Sequence, residues 1–504
     1  MEYFVNCNIS PLTPYAQPLD KMRAAHLYRR LGFSASVDTI NAALGRPPGA
    51  LVDELVDQAL AAAPISPPEW ADWTDANYPA DDDLAGALRR AQGEEFATTY
   101  GKALLENGLL DRMSFFWSNH FVTQTEVYNC NQYLYRYINC LQRNALGNFR
   151  ALTSEVGLTS AMLDYLDGSR NRGNNPNENY ARELYELFTL GEGNNYSEED
   201  IIETAKALSG YTERGEEGCT QITFNPEHFS TEDKTIFGQT GNWGYQDVME
   251  TLFTQRANEC AWFICMKLYK YLVHPDPTDA EGGGIAPQII DGMAQTLISS
   301  GWEIAPVIRQ ILKSQHFFDE TAIGVIIKSP ADLYLNLIKE TGFAHDDNMV
   351  FNMIDSCTLL GQEFFNPPEV EGWQRDRQWI NTNFIIGRWL TVEVYLERFF
   401  QDDPEQFRRL AMDAVGPANQ NTSNPEIVVR ALVEKFTPKG LLTDPDFEKA
   451  MDAFKIAEVP EEYYSPDYYP GGRSEWLLQL SMEPPQQVYV LLLHLIREPE
   501  FQLK

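Results

Sequence analysis

The residue types in this chain that could move protons or hold a charged ligand are His26, His120 and His228, the carboxylate Glu183, and the cations Arg30, Arg172, Arg182 and Lys234. An imidazole titrates close to neutrality, so it can give or take a proton there. A nearby carboxylate can act as general base, and guanidinium groups hold anionic or polar substrate groups. On this reading His120, Glu183 and His228 carry the chemistry. His26, Arg30, Arg172, Asn179, Arg182, Lys234 and Trp373 contact the substrate. Two imidazoles and a carboxylate also meet the minimum donor set for a divalent metal with open positions, so His120, Glu183 and His228 are the ligands if a metal binds. Neither H-x-x-x-H nor H-E-x-x-H occurs, and such a centre must be assembled from distant segments. No G-x-S-x-G, Walker-type or G-x-G-x-x-G segment in strand–helix context is present, so no nucleotide cofactor is expected. His494, between two leucines, reads as a core residue, His274 precedes Pro275 in a loop, and His316 and His345 have no polar company worth naming.

The elements that must position these groups are helical. Residues 174–210 (NNPNENYARELYELFTLGEGNNYSEEDIIETAKALSG) read as a helix–loop–helix. Asn175 is placed to cap the first helix, with Pro176 at its first position and Glu178 completing a capping box. Gly191 stops that helix, and Ser197 caps the next, whose acidic first turn suits the positive end of the helix dipole. Asn179, Glu183 and Glu186 share one face, while Tyr180, Leu184, Leu187 and Phe188 form the apolar stripe. The preceding loop, GSRNRGNN, carries two arginines toward a helix N-terminus, a place suited to an anionic group. The 191–197 loop lacks the alternating acidic ligands of a calcium loop.

The 177–191 stretch, NENYARELYELFTLG, resembles the signature of the bacterial domain-of-unknown-function 1800 (DUF1800) family. Similar matches are AHLYRRLGF at 25–33, WSNHF at 117–121, ALGNF at 145–149, MLDYLD at 162–167, AKALSG at 205–210 and LLGQEFFNPPEVEGW at 359–373. The resemblance implies a mostly helical fold and brings no accepted activity. It also implies a possible partner, because members are often encoded beside a sulfatase-like protein of another uncharacterised family (DUF1501). One departure concerns the His-Asp stretch that usually precedes a Lys and Leu-Gly. Here His228 and Lys234 take those places, but Phe229 stands where the acid is expected, leaving Glu232 or Asp233 to substitute.

Composition narrows the classes further. The 504 residues carry 39 Lys+Arg against 73 Asp+Glu, a net charge of −34 that would repel a phosphate backbone, so no nucleic-acid partner is expected. Aromatic residues at 12% rule out an acidic disordered chain. Apolar residues recur at helical spacing almost throughout, and the β-prone pieces at 221–224 and 234–237 are short. The expectation is an all-α, large irregular multi-helix body with a minor β-hairpin insertion near 221–237. Residues 1–400 read as a core containing the helix–loop–helix at 175–210, and 401–504 as a C-terminal helical lobe. The apolar runs at 488–496 and 259–273 are too short or too charged to span a bilayer, so no membrane span is expected. Seven cysteines without a C-x-x-C pair argue against a disulfide framework, and with no secretory leader readable they point to the cytoplasm. Export by another route, with a Cys130–Cys140 bridge, stays open.

Three functions fit these residues. The first is an enzyme with a polar His/Glu/Arg cleft acting on an anionic or polar substrate, saccharides and sulfated compounds among them, by general acid–base or metal-assisted hydrolysis. The second is a non-catalytic binding or assembly partner of the sulfatase-like protein, using Trp70, Trp73, Tyr78 and the tyrosine-rich 461–472 loop. The third is a buried ion-pair network of Glu183, Arg182, His120 and His26 that serves structure alone. Oligomeric state is open.

Overall fold

The computed structural model describes residues 8–213, 218–277, 284–456 and 476–504. It is 63% helical, with 22 helices among the described residues. The tyrosine-rich 461–472 loop lies outside the described residues. Among those described, no helix is long and apolar enough to cross a membrane. The 259–273 run forms most of the Ala257–Leu272 helix, which buries Cys260, Ala261, Ile264, Cys265 and Leu268 on one side.

The all-α expectation with a small β-hairpin holds, but the hairpin pairs differently. Lys234–Ile236 runs antiparallel to Gln239–Gly241, with Thr235 opposite Thr240. The segment at 221–224 contributes only an isolated bridge between Phe224 and Tyr211. The turn explains the difference. Phe237 and Gly238 have φ of 50° and 77°, the two left-handed central residues of a tight hairpin turn, and glycine takes the second place without steric cost. The strand's amides are met by the Glu198–Ala207 helix: Thr235 N donates to Glu203 Oε2 at 3.0 Å and Phe237 N to Asp200 Oδ1 at 2.7 Å.

The chain divides into two compact units built from interleaved segments, a different cut from the linear one at residue 400. The first comprises Met1–Pro14, Val52–Phe317 and Glu363–Trp373. Its centre is the wholly buried Leu109–Ser118 helix, whose Trp117 stacks on Phe149 and donates Nε1–H to the Ala145 carbonyl at 2.8 Å. Cys130 is bonded to Cys219, not to Cys140, which is free and buried. The pairing joins positions 89 residues apart, so it was invisible to any reading of local spacing. His316 is another correction. Its Nδ1 meets the Ser10 carbonyl and its Nε2 the Tyr269 hydroxyl, each at 2.8 Å, inside the core.

The second unit comprises Tyr15–Leu51, Phe318–Gln362 and Gln374–Lys504. It is organised around buried charge. Arg29, on the Lys21–Gly32 helix, donates Nε–H to Glu340 Oε1 at 2.7 Å and Nη2–H to the Lys435 carbonyl at 2.6 Å. Ser34 Oγ donates to the same carboxylate oxygen at 2.7 Å. Burial alone would push the Glu340 carboxyl up, but the charges of Arg29 and Lys328 hold it below its ordinary value. Burial pushes the Lys328 and Lys435 ammonium groups down to about 8. A buried ion-pair network therefore exists, as the third reading expected, but it is built from Arg29 and Glu340. Removing Arg29 strands a buried carboxylate, so Arg29→Met is expected to lower unfolding free energy by about 3–5 kcal/mol in urea titrations. A loss under 1 kcal/mol would show that the network does not hold this unit together.

Candidate functional site

Residues 174–191 depart from the expected helix at both ends. The α-helical part is only Asn179–Glu183, and it passes directly into a π-helical segment, Leu184–Thr189. Asn175 does not cap it. Instead Asn175 bridges back to Arg172, and Asn177 Oδ1 accepts from Asn179 N at 2.9 Å. The buried Asn171, missed in sequence, fixes this entry: its Oδ1 accepts from Asn177 N at 3.0 Å and its Nδ2 donates to the Ala205 carbonyl at 2.7 Å. Ser197 caps the second helix as expected, in a capping box with Asp200. Gly191 ends the first at φ 94°, where a side chain would meet the Phe263 ring.

A π-turn leaves backbone carbonyls that need donors from elsewhere. The Leu187 carbonyl accepts from Lys267 Nζ at 2.8 Å, and the Phe188 carbonyl from His120 Nε2 at 3.0 Å. Lys267 Nζ also donates to His120 Nδ1 at 3.1 Å. Because an ammonium only donates, Nδ1 is the acceptor, and the ring is neutral with its proton on Nε2. His120 is 3% exposed, parallel to Phe116 and edge-on to Trp117 and Phe121. Both its nitrogens face this clamp, in dry packing rather than a wet cleft.

Glu183 is placed differently. It is half-buried, at the last α-helical position before the π-segment, and its carboxyl makes no hydrogen bond among the described residues. Burial, followed by the charge of Glu186, pushes it up to about 7; Arg182 acts the other way and Glu371 adds to the rise. Tyr165 lies on the same side, its phenol pushed up to about 12 by burial and then by Glu183. The result is a carboxyl that carries a proton near neutrality, with two further carboxylates and a phenol around it.

The other expected contacts are already committed within the protein. Arg182 bridges Glu178, Glu186 and Glu198 at 3.3, 3.3 and 2.7 Å. Arg172 donates to the Ser169 and Tyr211 carbonyls and pairs with Glu213 at 2.9 Å. Lys234 is fully buried, donating to the Ser230 carbonyl and Asn242 Oδ1 with its ammonium over the Phe229 ring, and it anchors the hairpin. Phe229, where an acid was expected, thus serves as that cation's partner. Trp373 is buried in a packed turn, stacked on Phe115, with its backbone N donating to Asn119 Oδ1 at 2.6 Å. Asn179 stands about one helical turn before Glu183 and is half-buried.

His228 closes a short turn, Pro226–His228, whose carbonyl accepts from Gly173 N at 2.8 Å. His26 and Arg30 belong to the second unit, where both are buried and Arg30 donates to the Ala322 carbonyl at 3.0 Å. Among the described residues, no group of three or more His, Cys, Asp or Glu side chains is placed to hold a metal ion, so His120, Glu183 and His228 do not form the anticipated donor set. Trp70 and Tyr78, offered as partner-binding aromatics, are buried and bonded to Glu95 and Gln92.

A feature absent from the sequence reading lies elsewhere in the first unit. A cleft of about 800 Å³ is walled by Arg136, Arg143 and Arg150, with Tyr133, Ser154 and Gln221 among its other lining residues. Arg136 and Arg143 are seven residues apart on the Asn131–Asn144 helix, the one signal that could have placed them on a common face.

Residues 26–503 match the family described as "Protein of unknown function (DUF1800)". The chain belongs to that family. No curated protein and no solved structure matches it. In this DUF1800 member three of the family-like stretches, those holding His120, Tyr165 and Glu371, act on the signature segment. Asn119 and His120 of WSNHF hold Trp373 and Phe188, and Tyr165 and Glu371 act electrostatically on Glu183 itself.

The raised Glu183 value has a thermodynamic consequence. A carboxyl that holds its proton more tightly when folded contributes stability at low pH that is lost as pH rises from its unfolded value toward about 7. Wild type should lose on the order of 1 kcal/mol of unfolding free energy across that interval relative to Glu183→Gln, after allowance for partial exposure. Parallel stability–pH curves for the two proteins would contradict the assignment.

Proposed function

We propose that this protein is an enzyme of the general acid–base class, with Glu183 as the proton-carrying group and hydrolysis of a polar or anionic substrate as the reaction. The observation that carries the reading is the placement of the Glu183 carboxyl, half-buried with no hydrogen bond among the described residues and facing Glu186 and Glu371, where burial pushes its pKa up to about 7. A working general acid needs its pKa close to the operating pH, and burial with like charges is the usual means. His120 is recast as a positioning residue, which fixes the π-segment after Glu183 through the Phe188 carbonyl. With His120 and His228 not joined to Glu183, the acid–base form of the reading is preferred to the metal-assisted one. The Cys130–Cys219 bond favours an oxidising compartment, and we place the protein there rather than in the cytoplasm.

The test is a panel of chromogenic esters, glycosides, sulfates and phosphates assayed with wild type and Glu183→Gln. Turnover is expected on at least one class, falling as pH rises through about 7 and reduced about 10²–10⁴-fold in the variant. Full activity in Glu183→Gln, or no turnover on any class, would defeat the reading.

A further inference from the structure

We propose that the arginine-walled cleft of the first unit binds a short acidic oligosaccharide, a chain of sugar rings bearing carboxylate or sulfate groups. Three features of the cleft argue for it. The first is charge. The chain has 39 cations against 73 acids, yet the lining of this cleft carries three arginines and one acid, Glu155. Arg136 and Arg143 are two helical turns apart, roughly 10 Å, and Arg150 stands on the adjoining Phe149–Val156 helix. That separation suits anionic groups on alternate rings of an extended saccharide better than a single small ion. Planar guanidinium groups recognise such oxyanions with paired, parallel hydrogen bonds.

The second feature is the remaining lining. Asn139, Asn148, Gln246, Ser154, Thr159 and Ser160 line it with amides and hydroxyls that also bond within the protein, Asn148 to Gly301 and Glu303 and Thr159 to Val156, and it is their remaining donors and acceptors that sugar hydroxyls would meet. A volume of about 800 Å³ lies within the range of small-ligand sites. The acidic surface outside the cleft repels a long polyanion, which limits the ligand to a short one. Each arginine has an internal partner: Arg136 pairs with Asp72 at 2.7 Å, Arg143 with Glu155 and Arg150 with Glu250. Asp72 and Glu250 are 91% and 62% exposed, so these are solvent-screened pairs that a ligand can exchange.

The third feature is a rigid lip. Gln221 lines the cleft two residues after Cys219, which is bonded to Cys130. The Tyr133 hydroxyl donates to the Thr220 carbonyl, and Ile222 N donates to Ser160 Oγ at 3.0 Å. A lip held at Cys219, Thr220 and Ile222 is preorganised for binding, which reduces the ordering cost of association. Cys140 also lines the cleft, but burial pushes its thiol up to about 12, so it is not a nucleophile. This inference concerns a site separate from Glu183 and stands or falls without it.

The experiment is titration calorimetry of the oxidised full-length protein with trigalacturonate, a chondroitin sulfate tetrasaccharide, neutral maltotetraose and inorganic sulfate. At least one acidic oligosaccharide is expected to bind tenfold or more tighter than maltotetraose and than sulfate, with affinity falling as salt rises. Arg136→Gln and Arg150→Gln, both partly exposed and expected to fold, should each weaken it at least fivefold and flatten the salt dependence. The proposal is overturned by no binding of either acidic oligosaccharide, by equal binding of the neutral one, or by variants that bind like wild type. Sulfate binding as tightly as the oligosaccharides would reduce the site to a simple anion site and also overturn it.

Discussion

Two backbone carbonyls, that of the buried Phe188 and that of the half-buried Leu187, set the terms for the first unit. A buried backbone acceptor left without a donor costs about 1–3 kcal/mol, and a π-turn that ends inside the protein creates such acceptors by construction. Here one ammonium and one imidazole supply the donors, and they come from different places in the chain. Lys267 belongs to the Ala257–Leu272 helix, and His120 to the turn after the Leu109–Ser118 helix. The clamp therefore fixes three segments against one another at a single point. It also fixes the chemistry of His120. With Lys267 donating to Nδ1, the proton sits on Nε2 and is given to Phe188, so the ring cannot shuttle protons without releasing the turn.

What was legible in sequence, and what was not, follows from the range of each interaction. The Ser197 cap and the Gly191 stop are local: each depends on residues within a few positions, and each is where the pattern put it. The π-segment is not legible, because Tyr180, Leu184 and Phe188 recur at a spacing that serves an α-helix equally well. The Asn175 cap failed to a longer-range competitor. Asn171, pinned to the Ala205 carbonyl, draws in the Asn177 amide and delays the helix until Asn179. Glu183 stands out in sequence for its motif, but its perturbation comes first from burial, which tertiary packing sets, with Glu186 and then the distant Glu371 adding to it. The partners of His120 and Cys130 lie 147 and 89 residues off, beyond any spacing argument.

Charge is distributed in a way that the net value conceals. In a chain of −34, cations such as Arg29 on Glu340 and Lys234 under the hairpin are withdrawn from solvent. Their carbonyl and carboxylate acceptors are buried with them, which is the condition for burying a cation at tolerable cost. The exposed acidic excess is what remains. It makes an arginine-rich cavity wall an exception that needs its own explanation, since scattered surface pairs would not concentrate three guanidinium groups around one hollow.

Neighbouring residues on the signature helix make the sharpest contrast. Arg182 holds three carboxylates and Glu183, one position on, accepts no hydrogen bond among the described residues. If the polar face served structure alone, the favourable arrangement would pair Glu183 as well, because a half-buried carboxyl beside Glu186 and Glu371 raises the free energy of the fold at neutral pH. Replacement by glutamine would remove that penalty at almost no change in shape. The reading proposed for Glu183 fits this cost, since stability is the usual sacrifice where a protein needs a proton at a given position.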